Sequence, residues 1–182
     1  MFIPWIYAAR PKTLIASISP IICSLIIIPD TEVINLGILA FIFISALSIQ
    51  IGTNYVNDLY DYLKGADNEC RLGPKRMVSE GMISIDQMKR GIKFVFFIAV
   101  ISGIPLVYYG GWPILFIGIS GLCLAYFYTA GPSPIAYSFT GDFFVLLYFG
   151  VFAVSGSYYL LTGEIDLLSV LMGLSIGSLN VI

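Results

Sequence analysis

The groups able to do chemistry are concentrated between Gln50 and Gly81, in QIGTNYVNDLYDYLKGADNECRLGPKRMVSEG. Asp58, Asp61, Asp67 and Glu69 follow the amides Asn54 and Asn57, and Lys64, Arg71, Lys75 and Arg76 are mixed in or follow. At helical spacing Asn54, Asp58 and Asp61 fall at i, i+4 and i+7, so they share one face with Asn57 beside them. A solvated helix end, capped and paired with Lys64, is the plain reading and the commoner one in soluble proteins. In a membrane helix the balance changes, because an Asp at the bilayer centre costs roughly 2.5–3.5 kcal/mol and clustered acids also repel. Divalent cations that neutralise the acids and bring a multiply charged ligand resolve the conflict. Mg²⁺ does this by sharing phosphate oxygens with carboxylates, and Arg or Lys can grip the same phosphates directly.

The elements around this patch are apolar. Of 182 residues 58% are hydrophobic and 11% charged, against roughly 45–50% and about 25% in soluble domains. The fold class expected is all-α, a polytopic transmembrane helix bundle in a lipid bilayer. Cys23, Cys70 and Cys123 form no CxxC, and there is no histidine. A disulfide framework or zinc site is therefore not expected, and a bound metal would be an oxygen-held hard ion such as Mg²⁺. No basic stripe lies outside the patch, so no nucleic acid is expected as partner. The apolar run after Arg10 and Lys12 lacks a small-x-small exit, so a cleavable signal peptide is not expected either.

Taken in order, Met1–Lys12 reads as an interfacial amphipathic segment. Thr13–Pro29 is the first span, with a kink expected at Pro20, and Asp30–Asn35 a polar turn. Leu36 to about Tyr62 is the second helix, longer than a span needs. Residues 63–90 form the one long polar loop, with Ser84 and Gln87 spaced as a capping box. The third helix runs from about Met88 to Tyr109, interrupted by Pro105; Gly110-Gly111 turns it, and Trp112–Tyr128 is the fourth. Thr129–Thr140 is a Gly/Pro loop, Gly141–Leu161 the fifth helix and Leu167 onward the sixth. All nine basic residues lie before the first span or between the second and third. By the positive-inside rule the N-terminus and the acidic patch face the cytoplasm, in a multi-pass protein of the cell (inner) membrane. The last apolar run is interrupted at Ile182, so residues 1–182 read as one membrane domain without its C-terminal part.

Asn54-Tyr-Val-Asn57-Asp58-Leu-Tyr-Asp61, followed by Lys64-Gly65-Ala-Asp67, resembles the first aspartate-rich motif of the UbiA superfamily of intramembrane prenyltransferases. Within it the chain is most similar to the branch that prenylates 1,4-dihydroxy-2-naphthoate in menaquinone synthesis. Ala9-Arg10-Pro11-Lys12-Thr13-Leu14, Gly73-Pro74-Lys75-Arg76, Tyr128-Thr-Ala-Gly131-Pro132-Ser-Pro134-Ile-Ala-Tyr137 and Gly141-Asp142-Phe-Phe-Val carry the likeness along essentially the whole chain. Pro132 stands where the 4-hydroxybenzoate branch has Lys. The family has eight or nine helices and a second aspartate motif after the sixth, which would fall just beyond Asn180.

The resemblance implies a Mg²⁺-dependent transferase. Asn54, Asn57, Asp58, Asp61 and Asp67 would be metal-binding residues, with Asp58 and Asp61 central to catalysis. Lys64, Arg71 and Arg76 would bind the diphosphate of a polyprenyl diphosphate, although positive-inside topology explains those charges too. Tyr128, Tyr137 and Asp142 would contact the dihydroxynaphthoate acceptor. Interfacial anchoring accounts equally for the tyrosines, and a helix-dipole role for Asp142. Two other readings remain: the same chemistry on another aromatic acceptor, or a cation channel or transporter. A channel would favour acids or broken helices near the membrane midplane, whereas these acids lie at one helix end beside a basic loop.

Overall fold

A computed structural model describes residues 2–65, 76–131, 134–135 and 140–181. Among these every regular element is helical: α1 (Ile3–Ala9), a 3₁₀ turn (Pro11–Leu14), α2 (Ile15–Ile27), α3 (Leu36–Leu63), α4 (Ile85–Phe127), α5 (Gly141–Leu146), α6 (Phe152–Thr162) and α7 (Leu167–Asn180). A π-helical turn at Leu147–Val151 joins α5 to α6. Local chemistry fixes several ends. Asn35 caps α3 by accepting from the Gly37 and Ile38 N–H groups at 3.0 and 3.2 Å. Ser84 and Gln87 form the expected capping box at the start of α4.

α3, α4 and Gly141–Thr162 are each long and apolar enough to cross a membrane, and α1 with the Pro11–Ile27 segment qualifies as a bent pair. α7 is a shorter apolar helix of 14 residues. With 43 residues, α4 is about twice the length one span needs. It breaks at Gly111, where φ 65° and ψ −150° suit only a residue without Cβ. The chain doubles back there, because Met88 and Ile92 from one arm and Tyr126 from the other pack into the same cluster. Counted as two arms, α4 supplies the third and fourth expected helices. The protein is an all-α, multi-pass membrane bundle. Phe94, Phe97, Ile101, Ile104 and Trp112 on its outer surface are exposed, as side chains facing lipid should be.

The kink expected at Pro20 is not where the first span bends. Pro20 sits buried inside α2, and the 43° bend lies between α1 and Pro11–Ile27. Arg10 adopts φ 51° there. Pro11 disfavours a further right-handed helical residue before it, and Arg10 closes α1 as a left-handed cap whose N–H bonds to the Tyr7 carbonyl at 3.1 Å.

Two clusters fill the interior. One joins Ala8, Tyr55, Val56, Leu59, Met77, Val78, Ile83 and Met88 around the C-terminal end of α3. The other joins Ile21, Ile38, Ile42, Leu106 and Ile114 at its opposite end. α7 docks on the π-helical turn backbone to backbone. A Cβ on Gly150 would lie 2.4 Å from the Gly173 carbonyl oxygen, and one on Gly177 would lie 2.5 Å from that of Leu146. The Gly173-x-x-x-Gly177 spacing allows this approach in a membrane, where packing takes the place of hydrophobic drive.

Candidate functional site

The last turns of α3 carry the site. Asn54, Asp58 and Asp61 share a face and are 3%, 0% and 7% exposed, so that face points into the protein. Each side chain holds a different piece of chain. Asn54 donates from Nδ2 to the Ala9 carbonyl at 2.8 Å and to Thr13 Oγ1 at 2.9 Å, fastening the α1–α2 bend to α3. Trp5 stacks edge-on against Tyr55 one residue along.

Asp58 accepts the backbone N–H of Met77 on Oδ2 and that of Val78 on Oδ1, both at 2.9 Å. Both oxygens of this buried carboxylate thus have a hydrogen-bond donor, as a buried polar group requires. Its first role in the structure is to pull the returning loop onto α3. That seats Arg76, itself 4% exposed, against Asp61 in a buried ion pair. The attraction is large at low dielectric, but so is the cost of removing both charges from water.

A second set of bonds ties α3 to the segment after α4. The Thr129 hydroxyl bonds to Asn57 Oδ1, and Lys64 Nζ donates to the Thr129 carbonyl at 2.6 Å. The Tyr60 and Tyr126 hydroxyls also bond to each other. Nothing in the sequence marks Thr13, Thr129 or the Met77–Val78 backbone as partners of this helix face. Threonines are too common to stand out, and a backbone N–H has no residue type.

A cavity of about 410 Å³ opens beside this patch. Ile42, Leu106, Ile117, Phe149 and Leu160 are among its apolar walls, and Gln50, Thr53, Asn54, Asn57, Tyr128 and Asn180 give it polar groups. Asp58 and Asp61 do not line it. Tyr128 does, and burial, with the Asp142 carboxylate adding to it, pushes its phenol up from the ordinary tyrosine value. Tyr128 and Asp142 thus belong to one neighbourhood, although Asp142 is exposed in the first turn of α5. Asp67, Arg71 and Tyr137 lie outside the described residues. Among the described residues no three His, Cys, Asp or Glu side chains gather as a metal cluster. The donors beside the cavity are carboxylate and amide oxygens, the kind that suit a hard cation.

An ion-paired, amide-rich helix end beside an apolar cavity, within a bundle of long apolar helices, defines a multi-pass membrane protein. Residues 17–181 match the UbiA prenyltransferase family, and the chain belongs to that family. It is 33% identical over 170 residues to a Haemophilus influenzae protein named 1,4-dihydroxy-2-naphthoate octaprenyltransferase, covering 89% of this chain and 55% of the relative. Proteins of the same name from Bacillus subtilis and Escherichia coli are 30% and 32% identical, covering 93% and 86% of this chain and 55% and 53% of theirs. The chain thus spans about half the length of the curated relatives it matches.

Proposed function

We propose that the protein transfers a polyprenyl group from polyprenyl diphosphate to 1,4-dihydroxy-2-naphthoate, with loss of CO₂, giving demethylmenaquinol, the reduced form of demethylmenaquinone, for menaquinone synthesis. The observation that carries the reading is the position of Asn54 and Asn57. They line an apolar cavity, with the Asp61–Arg76 pair on the same helix end. An isoprenoid tail fits the apolar walls, and a diphosphate fits the polar end. The distribution of basic residues supports a site on the cytoplasmic side of the cell membrane under the positive-inside rule.

Mg²⁺ would be held by Asp61 and Asp58 with the amide oxygens of Asn54 and Asn57 and with Asp67. Bound there, it would supply charge neutralisation of the departing diphosphate. Arg76, Lys64 and Arg71 contribute positive charge to the same group, and Arg76 exchanges its bond to Asp61 for phosphate oxygens. The allylic C–O bond breaks and its electron pair leaves with diphosphate. The ring carbon bearing the carboxylate attacks the allylic cation and forms the new C–C bond. The carboxylate then departs as CO₂, and the electrons of its C–C bond restore the aromatic ring. The cavity walls keep water from the cation, while Tyr128, Tyr137 and Asp142 orient the acceptor.

The test is to incubate membranes containing the full-length protein with polyprenyl diphosphate and 1,4-dihydroxy-2-naphthoate, then extract, let air oxidise the quinol product, and assay for demethylmenaquinone by mass spectrometry. Its formation is expected. Prenylation of 4-hydroxybenzoate in its place would overturn the acceptor assignment.

A further inference from the structure

Gln50 stands one helical turn before Asn54 on the same face of α3 and lines the same cavity. Its neighbours on that face are committed elsewhere: Asn54 bonds to Ala9 and Thr13, and Asn57 to Thr129. Gln50 is 7% exposed, yet its side chain bonds to no described residue. Ser17 and Ser157, from α2 and α6, line the cavity in the same condition, at 8% and 5% exposure. Three helices therefore turn polar groups without a partner among the described residues toward a largely apolar space. The Gln50 amide lines the cavity, and polar groups so placed are normally matched by something that occupies the space.

We infer that Gln50 binds a ring hydroxyl of the aromatic acceptor. The inference rests on the prenyl-transfer reading and names a specificity residue for it. An amide offers a donor and an acceptor on adjacent atoms, and a hydroxyl group needs both. An isoprenoid chain offers neither, so the amide is wasted on the donor's tail. Along the helix Gln50 lies about 6 Å from Asn54 and about 16 Å from Asp61, at 1.5 Å per residue. That places the hydroxyl contact on the far side of the acceptor ring from the diphosphate, with the attacking carbon between them. Gln50 touches the substrate but not the bond that breaks.

The experiment compares full-length wild type, Gln50→Leu and Gln50→Asn in membranes, using 1,4-dihydroxy-2-naphthoate and the analogue 1-hydroxy-2-naphthoate. Quantified protein and its melting temperature in detergent accompany each kinetic set. The expected result is about a tenfold higher acceptor KM in Gln50→Leu with the donor KM unchanged, since one hydrogen bond is lost. Gln50→Asn keeps the amide but shortens its reach, and should fall between. Removing the 4-hydroxyl should weaken the wild type while leaving Gln50→Leu no weaker than it already is, as a coupled pair requires. An unchanged acceptor KM in Gln50→Leu, or equal penalties for the analogue in both proteins, overturns the inference while prenyl transfer stands. Absence of wild-type turnover with either compound defeats the functional reading itself.

Discussion

Asp58 accepts the backbone N–H of Val78 at 2.9 Å across 20 residues of sequence, and its other oxygen takes that of Met77. The charge at the centre of the motif thus fastens the loop that carries Arg76 to the helix that carries Asp61. Asp58→Asn replaces one acceptor oxygen by an N–H facing another N–H. It should cost about 1–3 kcal/mol, read as a lower melting temperature in detergent. Asp58→Ala should cost at least as much. An unchanged melting temperature in both would detach Asp58 from the loop.

The Asp61–Arg76 pair gives a separate expectation. Removing Arg76 leaves a buried carboxylate uncompensated, which typically costs 3–5 kcal/mol, whereas Arg76→Lys keeps the charge and should cost less. In the double variant Asp61→Asn with Arg76→Gln both charges are gone, so it should be more stable than Arg76→Ala alone. Chemical denaturation of the four proteins checks the order.

On the proposed function, Asp61→Ala should lower prenyl transfer by about 10²-fold or more, the usual scale for a lost electrostatic contact in a transition state. Membrane insertion should be normal, since Asp61 lies at a helix end and not in an apolar run. Full turnover in this variant would remove Asp61 from the site.

Chelation makes a further test of the same reading. EDTA should abolish transfer and added Mg²⁺ should restore it, assayed in washed membranes. Activity that survives chelation would count against any metal role for Asp58 and Asp61.

Packing of α7 can be tested without substrate. A Cβ on Gly173 would lie 2.7 Å from the Val151 Cα, and one on Gly150 would lie 2.4 Å from the Gly173 carbonyl oxygen. Because the obstacles are backbone atoms, no side chain can rotate aside. Gly173→Val should destabilise by about 1–3 kcal/mol, as overpacking does, and Gly103→Ala, where nothing lies within 4 Å, should be tolerated. Melting temperatures of the two variants decide the matter.

The sequence made the helices legible because hydrophobic runs, the Ser84–Gln87 box and the Gly110-Gly111 pair are local signals. It also placed Asn54, Asp58 and Asp61 on one face, since helical spacing alone determines that. Their partners were not legible. Met77 and Val78 engage Asp58 through backbone groups that every residue but proline possesses, and Thr129 reaches Asn57 from 72 positions away. The bend at Arg10 escaped because Pro20 is the more conspicuous proline, although Pro11 constrains its neighbour more. Gln50 stands at the start of the charged stretch but carries no charge to mark it. Its spacing of four from Asn54 was the available clue.

The three-glycine seam between α7 and the π-helical turn has one more implication. Where two helices meet through their backbones, that side of the compartment is inelastic: substituting a residue there disrupts the joint before it reshapes the interior. On the proposed function, tuning of the hydrocarbon length accommodated falls to lining side chains away from the seam, such as Ile42 of α3 and Ile117 of α4. Relatives that accept longer or shorter tails should differ at those positions while keeping the seam glycine-lined.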